Sequence, residues 1–191
     1  MALDNGKNGQ GKNGSGAALH LAAAPKAGMP EVRKRVAMGT VVRGSLQAGI
    51  QMKLTGTHSV EDIRAGKFVV IEGAQHEFFA MITDVALDCV SPGILADPPN
   101  EEDDFLKQVL AGTSTFGTVT LKPLLMRPKT AVEFEPVKTV PTHFSRAGEA
   151  TQDDIAAIFG AETEGGSHFH IGAPLDMDDI PVCLDLDKFV E

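Results

Sequence analysis

The spacing of hydrophobic positions divides this chain of 191 residues into three stretches. Up to about Pro30 no period is sustained. Gly, Asn, Lys and Ala dominate there, and the stretch from Asp4 to Gly16 is expected to stay disordered. Beyond it, β-branched and aliphatic residues gather in short runs bounded by glycines. Arg35 to Val42 reads as a strand that ends at a turn signal, Arg43-Gly44, and Gln51 to Leu54 alternates as a short half-buried strand. Phe68 to Glu72 and Glu77 to Leu87 carry strong strand patterns. The linker Gly73-Ala74-Gln75-His76 between them predicts an antiparallel hairpin.

An acidic, proline-bearing loop follows, from Ser91 to Asp104. Phe105 to Ala111 has helical spacing, with its start inside the Asp run, where negative charge suits a helix N-terminus. Ser114 to Met126 alternates again, with Val119 and Leu121 on one face and Phe116, Thr118 and Thr120 on the other. Pro123 cannot donate to a ladder and predicts an edge or a bulge near that strand's end. Short strands with turns every 8 to 12 residues, roughly, predict a small all-β barrel, closed or partly open.

The last third has a different texture. Pro136 to Pro141 is extended. Glu149 to Gly160 contains a helix with Thr151 as N-cap, acids in the first turn and Gly160 at the end. Phe169 to Leu175 follows, and Val182, Leu184 and Leu186 alternate as a closing strand. The organisation expected is a tail over 1–35, a barrel over 36–135, and a linker with an α/β segment over 136–191.

Composition narrows the function classes. Hydrophobic residues make up 42% and charged residues 23%, but there are 10 Phe and no Trp or Tyr, so the core must be largely aliphatic. No apolar run approaches the roughly 20 residues of a membrane span. The N-terminus has no signal-peptide core, which makes the cytoplasm the expected compartment. The net charge of −9 is uneven: residues 1–35 hold six basic and two acidic groups, and the rest hold 11 basic and 24 acidic. An acidic body is a poor duplex-binding surface, because phosphate neutralisation needs clustered Lys and Arg.

Candidate chemistry is sparse. Gly6 to Asn13 nearly matches a phosphate-binding loop, and Gly9 to Gly14 matches G-x-G-x-x-G. Both motifs need a preceding buried strand, and only five residues precede Gly6. They are low-complexity coincidences. His168 and His170 sit two apart, so a strand would place them on one face as a weak metal-binding pair, with no third ligand at a recognisable spacing. Cys89 and Cys183 have no CxxC partner, and Asp97 to Asp104 lacks the calcium-loop pattern. Ser145 and His143 lack a nucleophile elbow. No catalytic residue and no cofactor site is assigned to this chain. Phe78 and Phe79 adjoin in one strand, so one ring faces inward and the other outward, as a candidate contact with another subunit.

Three segments carry a resemblance. Gly39 to Leu46, Gly66 to Gly73 with Phe79 to Asp84, and His170 to Leu175 running through Val182 to Glu191 resemble, in that order, the N-terminal HAS-barrel of HerA-type ATPases and the segment that leads into their ATPase domain. The resemblance implies a barrel that packs side by side in a ring, usually a hexamer, of a DNA-translocating ATPase acting in DNA repair or phage defence. It implies a nuclease partner, contact with DNA through the full ring, and ATP and Mg held by the ATPase domain. The chain ends at Glu191, where the family's phosphate-binding loop would begin, so none of the nucleotide-binding residues is carried over. The expectation is an assembly module without catalysis of its own. The alternative is a stand-alone small barrel that binds nucleic acid or a small ligand.

Overall fold

The computed structural model describes residues 35–111, 113–160, 166–175, 177–178 and 180–189. The tail over 1–35 and its two glycine-rich motifs therefore lie, Arg35 apart, outside the described residues.

Strict alternation builds the barrel. In β2 (Gly49–Leu54), Ile50, Met52 and Leu54 are buried while their neighbours are half-buried. β1 (Ala37–Ser45) sends Met38 and Val41 inward, and β5 (Thr115–Pro128) sends Val119 and Leu121 inward. β3 (Phe68–Glu72) and β4 (His76–Cys89) form the expected hairpin, Phe68 opposite Met81 through Glu72 opposite Glu77. β7 (Arg146–Glu149) pairs with β1 on one side and β3 on the other. β2 also pairs with β5. The order β2-β1-β7-β3-β4-β5 thus returns to β2, and the sheet is a closed six-stranded barrel. The two-residue β6 (Glu135–Pro136) hangs on the far end of β5.

Two element boundaries differ from expectation. Gly44 is not a turn residue: β1 runs on to Ser45, and the turn is Leu46 to Ala48, where Ser45 Oγ accepts from the Ala48 amide. Gly44 is needed because a Cβ there would press within 3 Å of Ile50 across the ladder. The closing strand is also shorter than its alternation suggests. β9 (Val182–Asp185) pairs with β8 (His168–Gly172), and α4 (Leu186–Phe189) takes over at Leu186. The Asp185 carboxylate accepts from the Asp187 amide at 3.2 Å and from Ser167 Oγ at 3.0 Å, which turns the chain out of the ladder. Pro123 does lie at a bulge, opposite Ala80 where the β4–β5 register shifts.

A second core lies outside the barrel wall. Val69 and Ile71 point in, but Val70 on the other face of β3 is buried as well. Phe79, Val70 and Ala150 meet Ile155 of α3 (Gln152–Phe159), with Phe68, Leu125, Ile180 and Val182 packed around them. α3 begins with a capping box between Thr151 and Asp154 and ends at Gly160, whose φ of +75° suits glycine. A helix and a two-stranded ribbon thus cover one side of the barrel. The other side carries an arm.

Candidate functional site

The arm is the excursion between β4 and β5. The outer part of β4 beyond Ile82 has no partner strand on its β3 side among the described residues. It leads into α1 (Pro92–Ala96), with Pro92 at the helix start, and α2 (Asp104–Leu110), which begins beside the acids Asp103 and Asp104. Neither helix buries a single residue. Yet the arm carries Leu87 at 82% exposure, Leu95 at 71% and Phe105 at 78%, with Val90, Leu106 and Val109 also exposed. Lone exposed apolar residues are ordinary, but six on one short excursion make an unusually apolar surface.

The bare strand edge is blunted. Asp84 Oδ1 accepts from the Val85 amide at 2.9 Å, and Asp88 Oδ1 accepts from the Cys89 amide at 2.8 Å. Two donors that an incoming strand would need are thus occupied by carboxylates, which also repel an acidic neighbour. The arm thus offers exposed apolar side chains and a strand edge closed to pairing.

A groove of about 550 Å³ runs between the arm and the end of the barrel. Leu54, Val60, Leu87, Leu95 and Phe116 supply most of its apolar wall, and Cys89 and His58 also line it. Lys53 Nζ lies 3.9 Å from the centre of the Phe116 ring, on which it rests as a cation. Residues 88–104 contain six acids and no Lys or Arg, so this part of the arm is strongly negative, and Asp88 among them lines the groove.

Opposite charges are concentrated elsewhere. Arg35 donates from Nε and Nη2 to the two oxygens of Asp154 at 3.1 and 2.7 Å, and from Nη1 to Glu72 at 3.0 Å and Glu77 at 3.5 Å. Arg127 donates to the other oxygen of Glu77 and stacks near Phe134. Burial by itself would lower the Arg35 pKa, but hydrogen bonds and charge from Asp154 and Glu72 outweigh it and hold the guanidinium more firmly protonated than usual. Burial would likewise raise Asp154, yet the bonds from Arg35 and Thr151 hold its carboxyl below the ordinary range. This network ties the chain entering the barrel to α3. It is structural.

The residues singled out by sequence fall as follows. Phe78 points into the barrel and Phe79 out of it, as alternation requires, but both are only 2% exposed. The Phe79 ring lies 4.9 Å from that of Phe68 and is covered by α3, so the outward ring is not at the surface of this chain. The physical reason is the second core, whose helix the strand pattern alone does not place. His168 and His170 do share β8, with the His170 ring nitrogen 2.9 Å from the Gly172 carbonyl oxygen. Among the described residues no group of three His, Cys, Asp or Glu side chains is arranged to hold a metal. Cys183 is buried opposite His170, and Cys89 is half-buried with its thiol donating to the Ser91 carbonyl. The exposed apolar surface of the arm is not among the features the sequence analysis singles out. Phe105, Leu106 and Val109 have the i, i+1, i+4 spacing of a helix that seeks cover, and that was the available signal.

Among the described residues, no helix is long and apolar enough to cross a membrane. Compared with known families, residues 38–139 match the HAS barrel domain. The match takes in β2 to β6 and all but the first residue of β1, and β7, which closes the barrel, lies just beyond it. No protein of curated function matches the chain.

Proposed function

Because this chain belongs to the HAS-barrel family, we propose that it is the barrel module through which a HerA-type ring ATPase gathers its subunits and docks a partner. One observation carries the reading: the arm's two helices bury nothing of their own and present Phe105, Leu106 and Val109 outward. Apolar side chains held on a helix gain about 25 cal/mol per Å² when a neighbour covers them. Side-by-side packing around a ring is a repeated heterologous contact that supplies such cover for every arm. In this reading ATP and Mg belong to the ATPase domain of the parent protein, DNA is met only by the assembled ring, and a nuclease docks on the barrel layer. The barrel assembles and does not catalyse.

The alternative of a nucleic-acid-binding barrel has less support. The body beyond residue 35 is acidic, and the groove is lined, among the described residues, by Asp88 and by no Lys or Arg, where a strand-binding groove is positive.

Sedimentation velocity over a concentration series tests the proposal. The chain is expected to self-associate as concentration rises. The pair Phe105→Ser and Val109→Ser is expected to abolish that association and to change folding stability by less than about 0.5 kcal/mol, as for other exposed positions. A strict monomer at the highest attainable concentration, or association unchanged in the double variant, overturns it.

A further inference from the structure

We propose that the groove between the arm and the barrel end is the docking site for this chain's own N-terminal segment, Ala17 to Ala24. The segment reads Ala-Ala-Leu-His-Leu-Ala-Ala-Ala and is the longest apolar run in residues 1–34, which lie outside the described residues.

Position is the first argument. The described chain begins at Arg35, which lines a second cavity of about 390 Å³ together with Val36, Met38 and His58. His58 also lines the groove, so the two cavities share a wall. Arg35, the first described residue, is therefore separated from the groove only by the wall that His58 shares. The 11 residues from Ala24 to Arg35 reach up to about 35 Å when extended, which is more than adjacent cavities require.

Chemistry is the second. The groove wall is aliphatic and aromatic, and Leu19 and Leu21 are the large apolar side chains of the segment. Its size falls within the range of roughly 300–1,000 Å³ typical of pockets that enclose a ligand-sized group. Charge agrees with shape. Residues 1–34 carry Lys7, Lys12, Lys26, Arg33 and Lys34 against Asp4 and Glu31, while Asp88 lines the groove and the arm that forms one wall of it also carries Asp97 and the acids from Glu101 to Asp104. Opposite fields bring the segment to the groove, and the leucines hold it there. Docked so, the segment braces an arm whose helices otherwise bury nothing. The inference stands apart from the ring reading, because Phe105, Leu106 and Val109 are not among the groove's lining residues.

Cys89 supplies the test, since it lines the groove and Cys183, the other cysteine, is buried. In the full chain carrying Leu21→Cys, mild oxidation with diamide is expected to give a disulfide to Cys89 within one chain, identified by peptide mass. It is expected to be absent from an Asn8→Cys control and when Cys89→Ser is added. In a second measurement, Leu19→Asp with Leu21→Asp is expected to raise the alkylation rate of Cys89 by N-ethylmaleimide about tenfold, as loss of a protecting contact does, with the circular dichroism spectrum unchanged. Three results overturn the proposal: a crosslink between two chains, which makes a second copy the occupant; equal crosslinking from Asn8→Cys; or an alkylation rate that the paired aspartates leave unchanged.

Discussion

Arg35 and Asp154 are 119 residues apart in sequence and make a two-pronged ion pair whose side chains are each only 4% exposed. The pair joins the start of the described chain to the first turn of α3, and Glu72 and Glu77 of the β3–β4 hairpin complete the setting. One cation thus stands among three carboxylates at the seam between the barrel and its outer layer. The arrangement anchors α3 to the face of the barrel that it covers.

Removing the cation should be severe. Arg35→Met leaves Asp154, Glu72 and Glu77 close together without the guanidinium that bridges them, while Arg127 keeps its bond to Glu77. Breaking one half of a buried pair costs about 3–5 kcal/mol where nothing else meets the remaining charge, and here Thr151 still donates to Asp154. A loss near the lower end is expected, since Glu72 and Glu77 are about one-fifth to one-quarter exposed and keep some solvent. Urea unfolding followed by circular dichroism reads it, as a chain without Trp or Tyr has little useful fluorescence. The double variant Arg35→Met with Asp154→Leu should recover much of the loss. If it is as unstable as the single variant, the charge argument fails.

Acid should dissolve the same contact. The Asp154 carboxyl is held below its ordinary value in the folded chain, so the unfolded state takes up its proton first as pH falls. Its stabilising contribution is complete above the ordinary carboxylate value of about 3.9 and is lost as pH drops through the lower folded value. Arg35 shifts upward, so its contribution is full throughout that range. The stability gap between the natural chain and Asp154→Asn should be constant near neutrality and should shrink below about pH 4. A gap that widens in acid would contradict the sign worked out here.

The strands were legible where one face is buried and the other wet. Ile50, Met52 and Leu54 alternate with polar residues, and the 73–76 linker announces its hairpin. The capping box at Thr151 and the stop at Gly160 were equally plain. β7 was not. Arg146-Ala147-Gly148-Glu149 has no β-branched or aromatic residue, and its glycine is there because a Cβ would sit 2.5 Å from the Val36 carbonyl oxygen. Close approach, a property of the partner strand, selected those residues. Exposure of the arm was illegible for a related reason. Phe105 and Val109 carry the pattern of a buried helix face, and only their exposure among the described residues reveals the surface.

Phe78 and Phe79 offer a test of the two-core architecture, because neighbouring rings serve opposite faces of one strand. Truncating a buried Phe to Ala costs about 3–5 kcal/mol, so both variants should be destabilised. The patterns should differ. Phe78 lies among Met38, Ile71 and Met126 in the barrel cluster, and Phe78→Ala should lower amide protection in β1 to β5 together. Phe79 contacts the cluster formed with Ile155, Phe159 and Val182, and Phe79→Ala should free α3 and the β8–β9 ribbon while the barrel strands stay protected. Hydrogen exchange read by mass spectrometry separates the two outcomes by peptide. Matching loss over residues 37–128 and 152–185 in both variants would mean that the helix and ribbon are not a separate layer but part of one cooperative core.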